Sequence, residues 1–522
     1  MNKEIFTKLS NFLVKIVAII FFVLMGLNTL LVLTKTAIFP SDYQETLYYK
    51  QDNAILNIIF LIIFSIVILI LVKYLKKIIS VKRLVLLVMI YTFIISILFA
   101  ILRRDYVQFD PFHVIDQANN FIRKNYSGLD KGDNYLYIYS HQITTVFIFQ
   151  IILSLFGRAT FILYIMQSFS ISFIIFMLYK IANILFEDED TNYIVVILGA
   201  LCFPLIFYVA FVYGLLPGMF LTLVAYYYFI KYTKEKHWYQ LVISALSINL
   251  AILLIGNNLI HLLAIFAVAV IYFIRNKDWK IIAFILSCVF LMSASKSVIT
   301  NYYEVKSQKE IAEGVPKITW IAMGMQEGER EAGWWNRFNY DIMPEEEYDE
   351  KRITKISKTS MKQRLNVFRD NPKYAFDFYQ RKYENQFIEP TFQSLLVTAP
   401  QRNFSNETTL EKIRDFFVKQ IYFNHTHTVL EFIMKVFQVF VYLFTFVFAV
   451  VMYKRKNEFF AIIPIAFIGG TLFNMIWEAK SRYIFPYFVF LIPLSAYGLV
   501  IVRNKIKEYK KLKEEKDEKS TI

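Results

Sequence analysis

Long, almost uncharged apolar runs constrain the fold of this chain more than any other feature of its sequence. Such runs occupy residues 16–35, 54–72, 193–213 and 483–502. Each is close to the roughly 20 residues that a helix needs to cross the hydrocarbon core of a bilayer. The pattern therefore predicts an all-α polytopic membrane protein. The first apolar run lacks a small-residue cleavage site, which is typical of a retained helix rather than a signal peptide.

The composition supports a membrane protein and argues against a nucleic-acid binder. Of the 522 residues, 57% are hydrophobic and 19% charged, whereas a soluble domain has about 45–50% and roughly 25%. The net charge of +15 comes from Lys and Arg in short clusters between apolar runs, as the orientation of membrane proteins requires. Cys202 and Cys288 both lie in apolar runs, so we expect neither a disulfide framework nor a cysteine metal site.

The apolar segments predict about 12 transmembrane helices and a large mixed extracytoplasmic loop domain. The predicted spans are 12–35, 53–73, 84–102, 160–186, 192–211, 215–231, 239–256, 259–274, 280–297, 429–453, 458–476 and 483–502. Basic clusters mark the cytoplasmic loops at 73–83, 231–236, 275–280 and 454–456 and the tail from Arg503. We therefore expect a multi-pass protein of the cell membrane with both termini inside.

The segment 143–157 decides the topology. Counted as a span, it would place every later basic cluster outside, and it is short for a crossing. We interpret it as a helix embedded in the outer leaflet or packed against the bundle. The predicted organisation is then: 1–102, N-terminal transmembrane helices; 103–157, first outer catalytic loop with the embedded helix; 158–297, transmembrane core; 298–428, extracytoplasmic loop domain; 429–502, C-terminal transmembrane helices; 503–522, cytoplasmic tail.

The first outer loop offers a candidate general base. Asp110 directly precedes Pro111, and proline favours the first position of a helix, so we expect Asp110 to be its N-cap. A carboxylate at the membrane surface can also accept a proton from an acceptor hydroxyl, and the two roles are compatible. His113, Asp116 and His141 follow in the same loop as candidate second-shell or acceptor-binding residues.

The last outer turn carries a candidate phosphate site. It contains Glu478, Lys480 and Arg482 between Trp477 and Tyr483. Basic side chains at helix ends often reach for lipid headgroups, and Trp and Tyr belong to the interfacial belt. That explanation fits the aromatic residues, but cations are disfavoured on the outer side. A phosphate on a lipid-linked substrate would account for them, because the guanidinium fork suits phosphate oxygens.

The large outer loop offers two further candidates, Trp334 and Trp335. Tryptophans beside glycines suit a saccharide platform, but they suit a packed interfacial loop equally well. His425 and His427 lack a nearby third ligand, and a zinc site needs three or four. We therefore expect no cofactor and assign no metal ligands, although a divalent metal remains compatible with the sequence.

At these residues the chain resembles the GT-C superfamily of membrane glycosyltransferases, which includes protein mannosyltransferases and lipid A aminoarabinose transferases. Four segments carry the likeness: 110–114 with 139–157, 204–217, 316–336 and 478–483. From the first to the last, they span most of the chain from 103 to 502. The resemblance implies that Asp110 is the catalytic base and that Arg482 and Lys480, beside Glu478, bind the lipid phosphate.

The resemblance further implies a donor sugar on undecaprenyl phosphate and a bacterial cell-envelope glycan or teichoic acid as acceptor. Two features depart from the family pattern. Leu215 stands where many relatives carry an acidic residue, and 12–35 and 53–73 form an additional helix pair. A polymerase or ligase of lipid-linked glycans is the alternative enzyme. A transporter would require ionisable groups at mid-membrane depth, and the predicted spans are nearly free of them.

Overall fold

The computed structural model describes residues 2–40, 43–103, 107–400 and 408–520, and this part of the chain is mainly helical. The first half contains α1 (Asn2–Thr34), β1 (Lys35–Ile38), β2 (Tyr48–Gln51), α2 (Ala54–Ile78), α3 (Val81–Arg103), α4 (Phe109–Ile122), α5 (Tyr135–Ile138), α6 (Ile143–Phe156), α7 (Thr160–Phe186), α8 (Glu189–Leu201), α9 (Phe203–Phe207), α10 (Leu215–Glu235) and α11 (Trp238–Leu254).

The second half continues the helical bundle and contains the large loop. Its helices are α12 (Leu259–Asn276), α13 (Lys280–Ser307), α14 (Lys317–Gly324), α15 (Phe338–Glu345), α16 (Glu350–Asp370), α17 (Pro372–Phe387), α18 (Thr409–Tyr422), α19 (His425–Arg455), α20 (Ile462–Ile476), α21 (Ser481–Phe490) and α22 (Ile492–Ser520). The prediction of an all-α membrane protein is therefore confirmed at the level of fold class.

The number of spans is supported only in part. Among the described residues, eight helices are long and apolar enough to cross a membrane, or ten if each of two bent helix pairs counts as one span. The bent pairs coincide with the predicted spans 192–211 and 483–502. The other two predicted spans form α10 and α11, which do not meet the same criteria.

The segment 143–157 forms α6, a helix of 14 residues. At about 1.5 Å per residue this helix is shorter than the hydrocarbon core of a bilayer. It packs against α4, α11 and α13. The helix therefore lies against the bundle, which is one of the two placements that its length predicted.

The large loop differs from the prediction of a mixed domain. α13 continues to Ser307, beyond the predicted span end at 297, and the described residues from 308 to 424 form helices and turns without a strand. The side chains of Asp349, Asn371 and Thr408 accept hydrogen bonds from backbone N–H groups at the starts of α16, α17 and α18. These N-caps satisfy donors that a helix start leaves free and so favour helix in this segment.

A β-hairpin occupies the short loop between the first two helices. β1 and β2 are antiparallel and pair Lys35 with Gln51 and Ile38 with Tyr48. The backbone N–H of Ala37 donates to the carbonyl oxygen of Ile388 at 3.3 Å. The hairpin is therefore attached to the large loop rather than free above the bundle.

The predicted cytoplasmic loops lie together at one end of the bundle, here called the basic end. Ion pairs join helix ends that are distant in sequence: Lys76–Glu189 at 2.8 Å, Lys76–Asp190 at 2.6 Å, Lys234–Glu187 at 2.7 Å, Lys236–Asp278 at 3.0 Å, Arg275–Glu458 at 2.9 Å and Arg503–Asp190. The β-hairpin, the described parts of 104–142 and 308–424, and the turn 477–480 are grouped at the other end, the loop end.

Candidate functional site

Asp110 lies in the first turn of α4 rather than at its N-cap. The cap residue is Gln108, and α4 begins at Phe109. A proline fits any position of the first turn because the N–H groups there have no partner within the helix, so Pro111 did not fix the start of α4. Phe109 has a φ of +58°, a strained conformation for an aromatic residue. Backbone strain therefore adjoins the candidate base.

The structure brings Asp110 close to the turn 477–480. The carboxylate of Asp110 interacts electrostatically with the guanidinium of Arg482 and with Glu478. It also interacts with Tyr139 and His141 of its own loop. The first and fourth segments of the family resemblance therefore meet at the loop end.

The second segment joins the same site through Tyr213. The side-chain amide of Gln142 donates to the hydroxyl of Tyr213 at 2.5 Å and lies 3.1 Å from Nε2 of His141. His141 stays in contact with water while the surrounding protein lowers its pKa to about 4, an effect that the charge of Asp110 partly opposes. The low pKa keeps the imidazole neutral at pH 7, and a neutral imidazole can donate or accept a hydrogen bond.

The third segment, 316–336, packs against the turn 477–480. The backbone N–H of Ala479 donates to the carbonyl oxygen of Gly333 at 2.9 Å. A side chain at position 324 would collide with the backbone, because a Cβ on Gly324 would lie 2.5 Å from the carbonyl oxygen of Trp477. The absence of a side chain at Gly324 therefore allows the large loop and the turn to pack backbone against backbone.

Lys382 joins these two segments from α17. Its ammonium donates to the carbonyl oxygens of Gly324 and of Trp477, the latter at 2.7 Å. The side chain is 0% exposed, and burial lowers its pKa to about 7 although Glu478 acts in the opposite direction. Lys382 was not a candidate in the sequence, because nothing in the spacing of α17 distinguishes it from the other basic residues of that helix.

Lys480 is enclosed and paired. Its ammonium lies 3.1 Å from Glu45 and 3.8 Å from Glu478, and its side chain is 5% exposed. It also lies 5.8 Å from the centre of the Trp334 ring. Burial raises the pKa of Glu478, and Lys480 and Arg482 offset part of that rise. Lys480 is therefore a neutralised cation rather than one that is free for an incoming anion.

Arg482 has a different environment. The nearest polar contact of its guanidinium is the hydroxyl of Tyr483 at 3.3 Å, and it lies over the rings of Phe211 and Tyr483 at 5.6 Å and 5.2 Å. No carboxylate of the described residues forms an ion pair with it within 4.0 Å. Of the two cations predicted to bind phosphate, Arg482 is the one whose charge is directly available.

The tryptophan candidates separate into a buried and a partly exposed residue. Trp334 is 1% exposed and packs 6.2 Å from Phe39, so its ring belongs to the core and offers no face to a saccharide. Trp335 lies under Arg330 at 4.9 Å. Partly exposed rings are found instead at Trp320 and Trp477, which are parallel at 6.1 Å.

The other candidates of the first loop are peripheral. His113 is exposed and stacks on Tyr135 at 4.9 Å. Asp116 accepts a hydrogen bond from Asn120 at 3.0 Å along the same helix. A further acidic residue that precedes this helix in the sequence, Asp105, lies outside the described residues. Among the described residues no group of three or more His, Cys, Asp or Glu side chains is arranged to hold a metal ion.

Glu45 and Arg330 belong to the cluster but were not candidates in the sequence. Arg330 lies 2.6 Å from Glu45, which is in the loop of the β-hairpin. The only signal was indirect: buried cations require counter-ions, and the additional helix pair delivers a carboxylate between its two helices. Spacing alone does not connect residue 45 with residue 480.

Comparison with known proteins gives the family but no activity. A family model described as "Conserved hypothetical integral membrane protein" matches residues 9–499 of the chain. The match covers the bundle, the large loop and the described cluster at the loop end. A comparison with curated proteins gives no match.

Proposed function

The chain belongs to this family of integral membrane proteins, and we propose that it is a membrane glycosyltransferase. The donor in this proposal is a sugar on a polyprenyl phosphate such as undecaprenyl phosphate. The acceptor is a hydroxyl of a cell-envelope glycan or teichoic acid on the outer face. One observation carries the proposal: the carboxylate of Asp110 and the guanidinium of Arg482, distant in sequence, lie close enough to act on each other electrostatically.

Asp110 is the proposed general base. Its carboxylate makes no hydrogen bond with any described residue, although it lies in the first turn of α4. It accepts the proton of the acceptor hydroxyl while that oxygen forms a bond to the anomeric carbon. The bond from the anomeric carbon to the phosphate oxygen breaks at the same time, so the configuration inverts.

Arg482 is the proposed phosphate ligand. When the sugar leaves, the bond electrons remain on the phosphate, whose negative charge increases. A preorganised guanidinium binds the phosphate of the donor and also stabilises the charge that develops on it. Arg482 is suited to this role because it forms no ion pair with a described carboxylate and its planar fork matches phosphate oxygens.

A transfer assay in reconstituted vesicles tests the proposal directly. Purified protein is supplied with radiolabelled prenyl-phosphate sugars and with envelope glycans from a strain that lacks the protein. We expect transfer of label only when both are present. If the protein moved the unmodified donor lipid across the membrane without transferring its sugar to the glycan, it would be a transporter and not an enzyme.

The proposed outer location of the site has its own test. Glu345 lies at the end of α15 in the large loop, which we place outside because the basic clusters lie at the opposite end of the bundle. A cysteine at this position in intact cells should react with a membrane-impermeant maleimide. Protection of that cysteine until the cells are permeabilised would contradict the outer location.

A further inference from the structure

The β-hairpin between the first two helices places a carboxylate among the cations of the candidate site. Glu45 lies 3.1 Å from Lys480 and 2.6 Å from Arg330. Burial alone would raise the pKa of Glu45, but Lys480, Arg330 and Arg482 together lower it to about 2. The carboxylate is therefore ionised at neutral pH and neutralises cations that would otherwise face a bound anion.

The balance of charges leaves one cation without a close partner. Arg330 pairs with Glu45, and Lys480 pairs with Glu45 and Glu478. Arg482 interacts with its nearest carboxylates only at longer range. Arg330, Lys480 and Arg482 together with Glu45 and Glu478 therefore sum to one positive charge, which lies on Arg482, and the carboxylate of Asp110 acts on it at longer range.

We propose that Glu45 determines donor specificity by selecting a sugar on a lipid monophosphate over the same sugar on a lipid diphosphate. This inference rests on the proposed function of the site. A lipid-phosphate sugar is a phosphodiester with one negative charge, which Arg482 balances. A lipid-diphosphate sugar carries two negative charges. Glu45 repels the second charge, and Lys480 and Arg330 do not attract it because Glu45 already neutralises them.

The assignment gives the additional helix pair a function. α1 and α2 support the hairpin, whose Tyr49 hydroxyl donates to Glu331 at 2.8 Å and whose Ala37 is bonded to the large loop. These contacts attach both strands of the hairpin to the large loop. The carboxylate of Glu45 itself is held in the site by its ion pairs with Lys480 and Arg330.

Binding of two sugar-free probes isolates the effect of charge. The probes are a methyl prenyl phosphate diester, with one negative charge, and the corresponding methyl prenyl diphosphate, with two. Quenching of tryptophan fluorescence reports their binding to the full chain in detergent, because Trp334 and Trp335 lie beside Lys480 and Arg330. We expect wild type to bind the monophosphate more tightly.

The variant Glu45→Gln should strengthen binding of the diphosphate by roughly tenfold or more, as removal of a unit charge at short range predicts, and should change monophosphate binding much less. Glu331→Gln is the matched control, because Glu331 contacts the same hairpin through Tyr49 and forms no ion pair with Lys480 or Arg330. Its probe preference should equal that of wild type.

Arg330→Gln provides a second test that does not depend on the folding of Glu45→Gln. The Arg330 side chain is 32% exposed, and its replacement should shift the preference in the opposite direction, against the diphosphate. Equal binding of both probes to wild type, or shifts in the same direction for both variants, would overturn the role of Glu45 and leave the glycosyltransferase proposal in place. Failure of wild type to bind either probe would overturn the proposed function itself.

Discussion

Buried charged side chains are concentrated at one end of the bundle. At the basic end, Lys234 and Glu187 form an ion pair with side chains that are 44% and 75% exposed. At the loop end, Lys480 and Glu478 are each 5% exposed, and Lys382 and Glu389 are fully buried. Both ends contain many ion pairs, so the number of pairs does not distinguish them. The two ends differ instead in how many of their charged side chains are buried away from water.

The difference separates ion pairs that are exposed to water from charged side chains that are buried at an energetic cost. Exposed ion pairs contribute little to stability, typically 0–1 kcal/mol, and the sign of the loop charge is sufficient to fix orientation. Burial of a charge costs several kcal/mol unless it is paired and hydrogen-bonded. Among the described residues the fold accepts that cost for Lys382, Glu389, Glu478 and Lys480 at the loop end and for Glu458 at the basic end, and we therefore place the chemistry at the loop end, where the buried charges are concentrated.

Replacement of Asp110 should produce the largest effect. Asp110→Asn keeps the size of the side chain and removes the ability to accept a proton. Since general base catalysis typically contributes ~10²–10⁴ in rate, we expect a folded variant with glycan transfer reduced by that factor. Transfer is measured in vesicles at equal amounts of protein.

Asp116→Asn is the matched control on the same helix, because Asp116 is engaged with Asn120 at 3.0 Å and should tolerate the change. Substantial transfer by Asp110→Asn would remove the general base from the mechanism. Asp110 would then be an acidic residue that favours the helix start through the helix dipole.

Replacement of Arg482 should have the next largest effect and should differ in kind from replacement of Lys480. Charged hydrogen bonds are worth roughly 1.5–3 kcal/mol, so Arg482→Ala should raise the KM for the lipid donor about ten- to hundredfold. Lys480→Ala leaves Glu478 without its cation at 3.8 Å and should mainly lower thermal stability. Donor titrations and melting curves of both variants distinguish these effects. A normal donor KM for Arg482→Ala would contradict the phosphate assignment.

The sequence predicted the fold class, whereas its candidate site stays a prediction, and several residues of the described cluster were not among its candidates. The thickness of the bilayer sets the length of an apolar run and the helix sets its period. Each of the twelve predicted spans therefore coincides with a helix or with a bent helix pair. The sequence indicated only part of what the third segment, 316–336, contributes to the cluster. A tryptophan beside a glycine suits a packed loop and a saccharide platform equally, and only the fold shows that Trp334 is buried.

The missing residues are those whose role arises from contacts across long stretches of chain. Glu45 comes from a hairpin that had no predicted structure, and Lys382 from the middle of a basic helix. Glu389 is a third case: its buried carboxylate accepts hydrogen bonds from Ser481 at 2.8 Å and from the backbone N–H of Gln393 at 2.7 Å. Burial raises the pKa of Glu389 to about 7, and these hydrogen bonds oppose the rise. Such pairings have no periodic signal in one sequence.

Lys382 allows the comparison to be tested by pH. Its pKa is about 7 in the fold and 10.5 for an ordinary lysine, so the folded chain binds fewer protons between these values. Raising the pH through this window therefore favours the folded state through this group. The melting temperature of wild type should rise by a few degrees relative to that of Lys382→Met between pH 7 and pH 10. Lys373→Met, at an exposed position of the same helix, should run parallel to wild type, and parallel curves for Lys382→Met would contradict the buried amine.

The smallest effect is expected at the basic end. Lys234 donates to Glu187 at 2.7 Å and to the carbonyl oxygen of Ile184 at 2.6 Å, but water surrounds the pair. Lys234→Ala should change the free energy of unfolding by less than about 1 kcal/mol and should leave transfer activity and the donor KM unchanged. The paired measurement with Lys480→Ala matters most, since both variants remove one lysine from an ion pair. Equal losses of stability at the two ends would mean that access to water does not distinguish them, and the argument that places the chemistry at the loop end would lose its physical basis.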